Sequence, residues 1–142
     1  MSLSFQEKSL WLVLVSLLMA FGAYFCVVLP TPSPNVAPGQ IGLFVSLLVF
    51  LVTIQIAGHS LLAIASRREL AKSIQRDERD TLIDLKSSRI GSYVLAGGVF
   101  ASLCVALLVP GNFAFMHTLL AGWVAAQASE IISQLVFYRR GG

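Results

Sequence analysis

The chain has 142 residues, of which 56% are hydrophobic and 12% charged, with a formal net charge of +3 and a mean hydropathy of +0.81. This excludes an ordinary soluble domain, where about a quarter of the residues carry charge, and the length fits a single domain. No separate basic segment carries the excess cations, which argues against nucleic acid as a partner and toward a chain threaded through a bilayer.

The first apolar run covers 9–29 and follows Ser4-Phe-Gln-Glu7, a capping-box pattern that predicts a helix start. It is long for the apolar core of a cleaved leader and lacks a small-x-small cleavage site. Cys26 follows bulky Phe25 rather than a lipidation-type sequence, so the run is read as a retained span. A proline-rich turn, Pro30 to Gly39, stops the helix and favours extended backbone. The second run covers 41–65, and no Asp, Glu, Lys or Arg occurs anywhere from Ser9 to Ser66. After the charged segment 66–89 comes a third run, 90–109, then Pro110-Gly111-Asn112, then a fourth, 113–138. Each run approaches or exceeds the roughly 20 residues that cross a hydrocarbon layer. The expected fold is therefore all-α: an integral membrane four-helix bundle made of two tandem transmembrane hairpins.

The cations give the threading. Lys8, the seven Lys and Arg of 67–89, and Arg139 and Arg140 all fall at one side, while the turns around 30–40 and 110–112 carry no charge. The positive-inside rule then predicts cytoplasmic N and C termini and a cytoplasmic 66–89 loop, in a cell (inner) membrane. A shift of 72 positions superposes Pro38-Gly39-Gln40 on Pro110-Gly111-Asn112, Gln55 on Gln127, and Arg67-Arg68 on Arg139-Arg140, the signature of a parallel internal repeat.

Packing faces are partly readable. Ala121, Ala125, Ser129 and Ser133 recur every four residues on span 4, and Gly98, Ser102 and Ala106 do so on span 3. Such ladders let helix backbones approach where no water is available to expel, which predicts close contact of spans 3 and 4 within the chain or across a dimer. Trp11, Tyr93 and Tyr138 toward the inner boundary, and Tyr24 and Phe113 toward the outer, are expected to anchor at the interfaces. Cys26 and Cys104 read as small apolar fillers. There is no Cys-x-x-Cys, no His/Cys ligand cluster and no nucleophile elbow, so neither an enzyme nor a cofactor is predicted.

Segment 67–89 carries seven cations and five acids. Its distinctive part is Asp77-Glu78-Arg79-Asp80. Asp77 or Asp80 is expected to cap a helix running through Thr81 into span 3, and the helix of span 2 is expected to continue to about Gln75. Arg76 and Arg79 alternate with the acids, which favours a charge-neutralising cap or a docking surface for a protein partner over a metal site. With this motif the chain resembles poorly characterised small bacterial and archaeal multi-span membrane proteins that bear an Asp-Glu-Arg motif before a span. The resemblance implies a multi-pass protein and assigns no activity.

One carboxylate breaks the last apolar run. Glu130 is the only formally charged residue between Arg89 and Arg139, and it shares a polar stripe with Gln127 and Gln134. Span 2 carries Gln55 and His59, also four apart. Counting from the arginines that follow each span, His59 and Glu130 lie at matching depth, as do Gln55 and Gln127. The expectation is that spans 2 and 4 face each other, His59 meeting Glu130 directly or through a water. An intramembrane carboxylate is costly enough to face protein or water rather than lipid. Two roles follow: a hydrogen-bond clamp between helices, or a proton or solute site. The first predicts a non-enzymatic protein acting through helix packing and its charged loop on a partner or its own oligomer. The alternative is a small transporter or channel subunit.

Overall fold

The computed structural model describes residues 5–65 and 78–140, except for the side chains of Glu78 and Arg79. Four helices account for nearly all of it: α1 (Phe5–Val28), α2 (Pro38–Ala65), α3 (Glu78–Leu108) and α4 (Phe113–Arg140). There is no strand among the described residues. All four helices are long and apolar enough to cross a membrane, and the chain is a multi-pass membrane protein. Helices are the required solution here, because hydrocarbon offers nothing to backbone N–H and C=O groups except one another.

The helix ends follow local chemistry. α1 begins at Phe5, directly after Ser4, and carries Glu7 in its first turn; Ser4 itself lies outside the described residues. α2 opens with Pro38, where a missing N–H costs nothing. The Gln40 side chain reaches back to accept from the Ala37 N–H at 3.0 Å, half of a capping box. α3 begins at Glu78, twelve residues before the apolar run, in keeping with the expected helix through Thr81 into span 3, so the second half of the 66–89 segment is a helical extension of the span. At 31 residues, α3 is about 46 Å long at 1.5 Å per residue, which exceeds a hydrocarbon layer of about 30 Å. The expected continuation of α2 to Gln75 lies outside the described residues, as does Asp77.

The two uncharged turns are stitched together. The Val36 N–H donates to Asn112 Oδ1 at 2.8 Å, and the Phe113 N–H donates to the Pro34 carbonyl at 3.3 Å. Gly111 sits at φ +89°, and a Cβ there would collide with the Pro34 carbonyl oxygen. Glycine is needed on both counts.

Among the described residues, helix backbones approach in three pairings: α1 with α2, α1 with α4, and α3 with α4. The helices therefore stand in the order α2, α1, α4, α3, with α1 central to the first hairpin and α4 joining it to the second. The α3–α4 pairing is the most extensive, as the small-residue pattern predicts. At its tightest point the Gly98 and Gly122 backbones touch, so that a Cβ built on Gly98 would lie 2.7 Å from Gly122 Cα. The contact line on α4 differs from the expected one by a residue. Gly122 and Ala126 face α3, whereas Ala121 and Ala125 are exposed and the Ser129 and Ser133 hydroxyls fold back onto their own helix. Of the α3 ladder, Gly98 and Ser102 turn inward and Ala106 is exposed.

Around α1 the contacts are filled by larger side chains. Leu17, Ala20 and Phe21 pack with Leu51 of α2 and with Leu120 and Val124 of α4. Phe21 meets Trp123 edge-on, with ring centroids 5.6 Å apart. Nearer the arginine-bearing end, Leu14 packs against Ile131 and Leu135. Trp11 and Tyr93 are exposed, as interface anchors should be, but Tyr24 and Phe113 are buried with Val28 in a third cluster. They are core residues, because α1 and α4 meet at that depth.

Candidate functional site

Two histidines pin α1 to its neighbours, one near each end. At the proline-turn end, His117 of α4 is only 6% exposed. Its Nδ1 lies 2.7 Å from the Phe113 carbonyl oxygen. A carbonyl only accepts, so Nδ1 carries the proton and Nε2 is a bare acceptor. Tyr24 of α1 fills it, its hydroxyl donating at 2.9 Å. The rings stack at 10° with centroids 5.7 Å apart, and Phe113 closes the other side of the imidazole at 4.1 Å. The polar ends of a buried Tyr and a buried His thus satisfy each other, as the absence of water requires. A cleft of about 300 Å³ borders the pair, lined by Phe44, Ile41, Met116 and Leu120 with Gln40 at its mouth.

His59 of α2 repeats the arrangement at the arginine-bearing end. Its Nδ1–H donates to the Gln55 carbonyl at 2.8 Å, and Nε2 accepts from the Ser9 hydroxyl of α1 at 2.9 Å. Both ring nitrogens are therefore engaged without Glu130. The expected meeting of His59 and Glu130 does not form, for a topological reason: α1 stands between α2 and α4. Equal depth on two spans is no contact when a third span separates them. Gln55 enters this site through its backbone carbonyl and remains half-buried.

Glu130 lies instead on the α3 side of α4. A Cβ placed on Gly91 would stand 3.0 Å from a Glu130 carboxylate oxygen and 3.3 Å from the Ala126 carbonyl oxygen. Gly91 is buried and its missing side chain is what admits Glu130 to the seam. Gln127, Glu130 and Gln134 are all half-buried along one side of α4. Gln134 opens into a polar pocket of about 180 Å³ at the arginine-bearing end, shared with Gln6 and Ser9 of α1, Asp80 and Asp84 of α3, and Tyr138. Gln6 Nε2 donates to Asp80 Oδ2 at 3.0 Å, tying the start of α1 to the start of α3. Asp80 is thus the member of the Asp77–Asp80 motif whose side chain is placed. It lies in the first turn of α3, where an acid complements the helix dipole. Glu78 and Arg79 belong to the same turn of backbone. Among the described residues no group of three or more His, Cys, Asp or Glu side chains is gathered as metal ligands. Cys26 and Cys104 are free thiols.

His117 and Tyr24 are the site residues that sequence reasoning passed over. Their signal was present: Tyr24 stands five residues before Leu29, at the end of span 1, and His117 four residues after Phe113, at the start of span 4. Antiparallel neighbours placed that way share a depth. Compared with protein-family models, with curated proteins and with solved structures, the chain finds no match.

Proposed function

We propose that the chain is a non-enzymatic integral membrane protein that works by assembly, its helix faces and charged 66–89 segment joining it to further copies of itself or to a protein partner. The observation that carries this reading is the open order of the helices. α2 makes its close backbone approach to α1 alone, and Leu51 is its one buried side chain among 28 residues. Val45, Val49, Val52 and Ile56 form an exposed stripe along it, spaced as one helix face. The helix hydroxyls on α2, Ser46, Thr53 and Ser60, bond to carbonyls of their own helix, so the outer surface is left uniformly apolar and suited to close packing.

The reading includes a bacterial-type inner-membrane setting, kinship with the small multi-span proteins carrying the Asp-Glu-Arg motif, and two hairpins descended from one repeat. Both termini and segment 66–89 face the cytoplasm, supported by the one-sided cations. In this reading Asp77, Glu78, Arg79 and Asp80 are the motif a partner would recognise. Cysteine cross-linking tests the assembly. In a chain with Cys26 and Cys104 replaced by Ser, Val49→Cys and Ile56→Cys should cross-link two copies in native membranes, and light scattering of the purified protein should give a dimer or larger. A strict monomer that also co-purifies with nothing overturns it. For the threading, a reporter fused after Arg140 and a Cys at Ser88 should report the cytoplasm, and a Cys at Ser33 the opposite side.

A transporter or channel subunit is the second reading. It is favoured by Glu130, which makes no hydrogen bond or ion pair with any described residue, and by the polar pocket one helical turn from it. Solute or ion flux in proteoliposomes that is lost in Glu130→Gln distinguishes it from assembly alone.

A further inference from the structure

Many serine and threonine hydroxyls on the spans bond to their own helix. Ser16, Ser92, Ser102, Thr118, Ser129 and Ser133 all donate to a carbonyl three or four residues earlier. Ser87 of α3 does not. It is 0% exposed, and its Oγ is a buried polar atom with no hydrogen-bond partner. A hydroxyl withdrawn from water with nothing to bond costs free energy, and in native proteins such an atom is commonly met by a bound water or ion.

Its position says what it faces. Ser87 precedes Gly91 by one turn on the same side of α3, and Gly91 packs on Glu130. The helices are antiparallel, so the next turn of α4 in that direction carries Gln134. Three residues before Ser87, also on this side, Asp84 lines the polar pocket together with Asp80 and Gln134. By helix register the seam therefore carries on neighbouring turns a hydroxyl without a partner, a half-buried carboxylate with no hydrogen bond or ion pair to a described residue, and a carboxamide. Its arginine-bearing end opens to Asp80 and Asp84.

We propose that Ser87, Glu130 and Gln134 form a binding site for a monovalent alkali cation at the α3–α4 seam, entered from the Asp80 and Asp84 pocket. Charge selects the class. One carboxylate at this depth balances one positive charge, whereas calcium or magnesium sites gather several carboxylates or retain several waters. Every donor offered is a hard oxygen, which suits an alkali ion and not a soft metal. Asp80 and Asp84 line the pocket at the mouth of this route. The cation supplies what both orphan groups lack: a counter-charge for Glu130 and a partner for the Ser87 oxygen. This site does not depend on assembly with other copies.

Sodium is the probe, with choline at the same ionic strength as its control. A membrane-soluble carbodiimide should modify Glu130 in choline, read by mass spectrometry of the peptide, and the yield should fall several-fold as Na⁺ replaces choline at constant pH. The melting temperature should rise over the same Na⁺ range. Ser87→Ala, which removes only the oxygen, should move half-protection to about tenfold higher Na⁺, as expected for a lost contact to a charged group. It should also abolish most of the Na⁺-dependent rise in melting. If Ser87 is merely an unsatisfied packing residue, Ser87→Ala raises melting equally in Na⁺ and choline, and the proposal fails. It also fails if labelling follows pH alone, or if Glu130→Gln keeps the full Na⁺ response.

Discussion

Gly97 and Gly98 are consecutive on α3 and differ in what surrounds them, which makes a controlled test of the α3–α4 seam. A Cβ on Gly98 would stand 2.7 Å from Gly122 Cα, while a Cβ on Gly97 meets nothing within 4 Å. Carbon atoms prefer separations of about 3.5–4.0 Å, so Gly98→Ala must open the crossing by about 1 Å. A gap of that size forfeits a quarter to a half of each contact it touches, and overpacking of tight interiors costs about 1–3 kcal/mol. Alanine's higher helix propensity, worth about 1 kcal/mol in water, offsets part of this at Gly98. At Gly97 the same gain stands unopposed. Gly98→Ala should therefore melt below wild type and Gly97→Ala at or above it, followed by thermal unfolding in one detergent. Gly122→Ala should reproduce the Gly98 effect. The double variant should cost less than the sum, because the first methyl already separates the helices. A Gly98→Ala protein as stable as Gly97→Ala would refute direct backbone contact at this crossing.

Other consequences are local. Tyr24→Phe leaves the buried His117 Nε2 without a donor and should destabilise by about 1–3 kcal/mol; Tyr24→Phe with His117→Phe should recover part of that loss in the same melt. His59→Leu strands the Ser9 hydroxyl, so a double-mutant cycle should find coupling between His59 and Ser9 and additivity within about 0.5 kcal/mol between His59 and Glu130. Coupling to Glu130 would restore an α2–α4 contact. Gly111→Ala faces both the left-handed backbone and the Pro34 carbonyl, and should lower stability by more than 1 kcal/mol or so. Protease sensitivity of the 29–37 turn should rise with it.

The spans were legible because a hydrocarbon solvent imposes a length and bans charge, and both marks survive in any order of residues. Their ends were nearly legible at Pro38, Asn112 and Arg140, where the chain carries its own punctuation. The start of α3 was legible as well, from Asp77 and Asp80 as cap candidates ahead of Thr81, and the helix begins at Glu78; Asp84 to Arg89 is polar and helical at once, so composition marks the membrane boundary and a helix ignores it. Neighbour choice was the least legible. Water-facing residues normally reveal the buried side of a helix, but in these spans both sides are apolar. Ala121 and Ala125 look as suitable for close packing as Gly122 and Ala126, and only the meeting of Gly122 with Gly98 decides between them. The pairing expected for Glu130 failed for the same reason. Depth could be counted from the sequence, whereas the interposition of α1 could not.

The order of the helices also constrains how the protein is made. Translation delivers α1 first and α4 last, yet α1 shares its Tyr24 hydroxyl, Phe21 ring and Leu14 side chain with α4. Until α4 enters the membrane, the Tyr24 hydroxyl lacks the His117 partner it has in the folded protein. α3 and α4, by contrast, emerge in succession and can zip together at their glycines at once. The nascent protein is therefore expected to mature backwards, its last hairpin closing first and then recruiting α1. A ribosome stalled before residue 113 would hold three helices without the α4 against which both α1 and α3 pack.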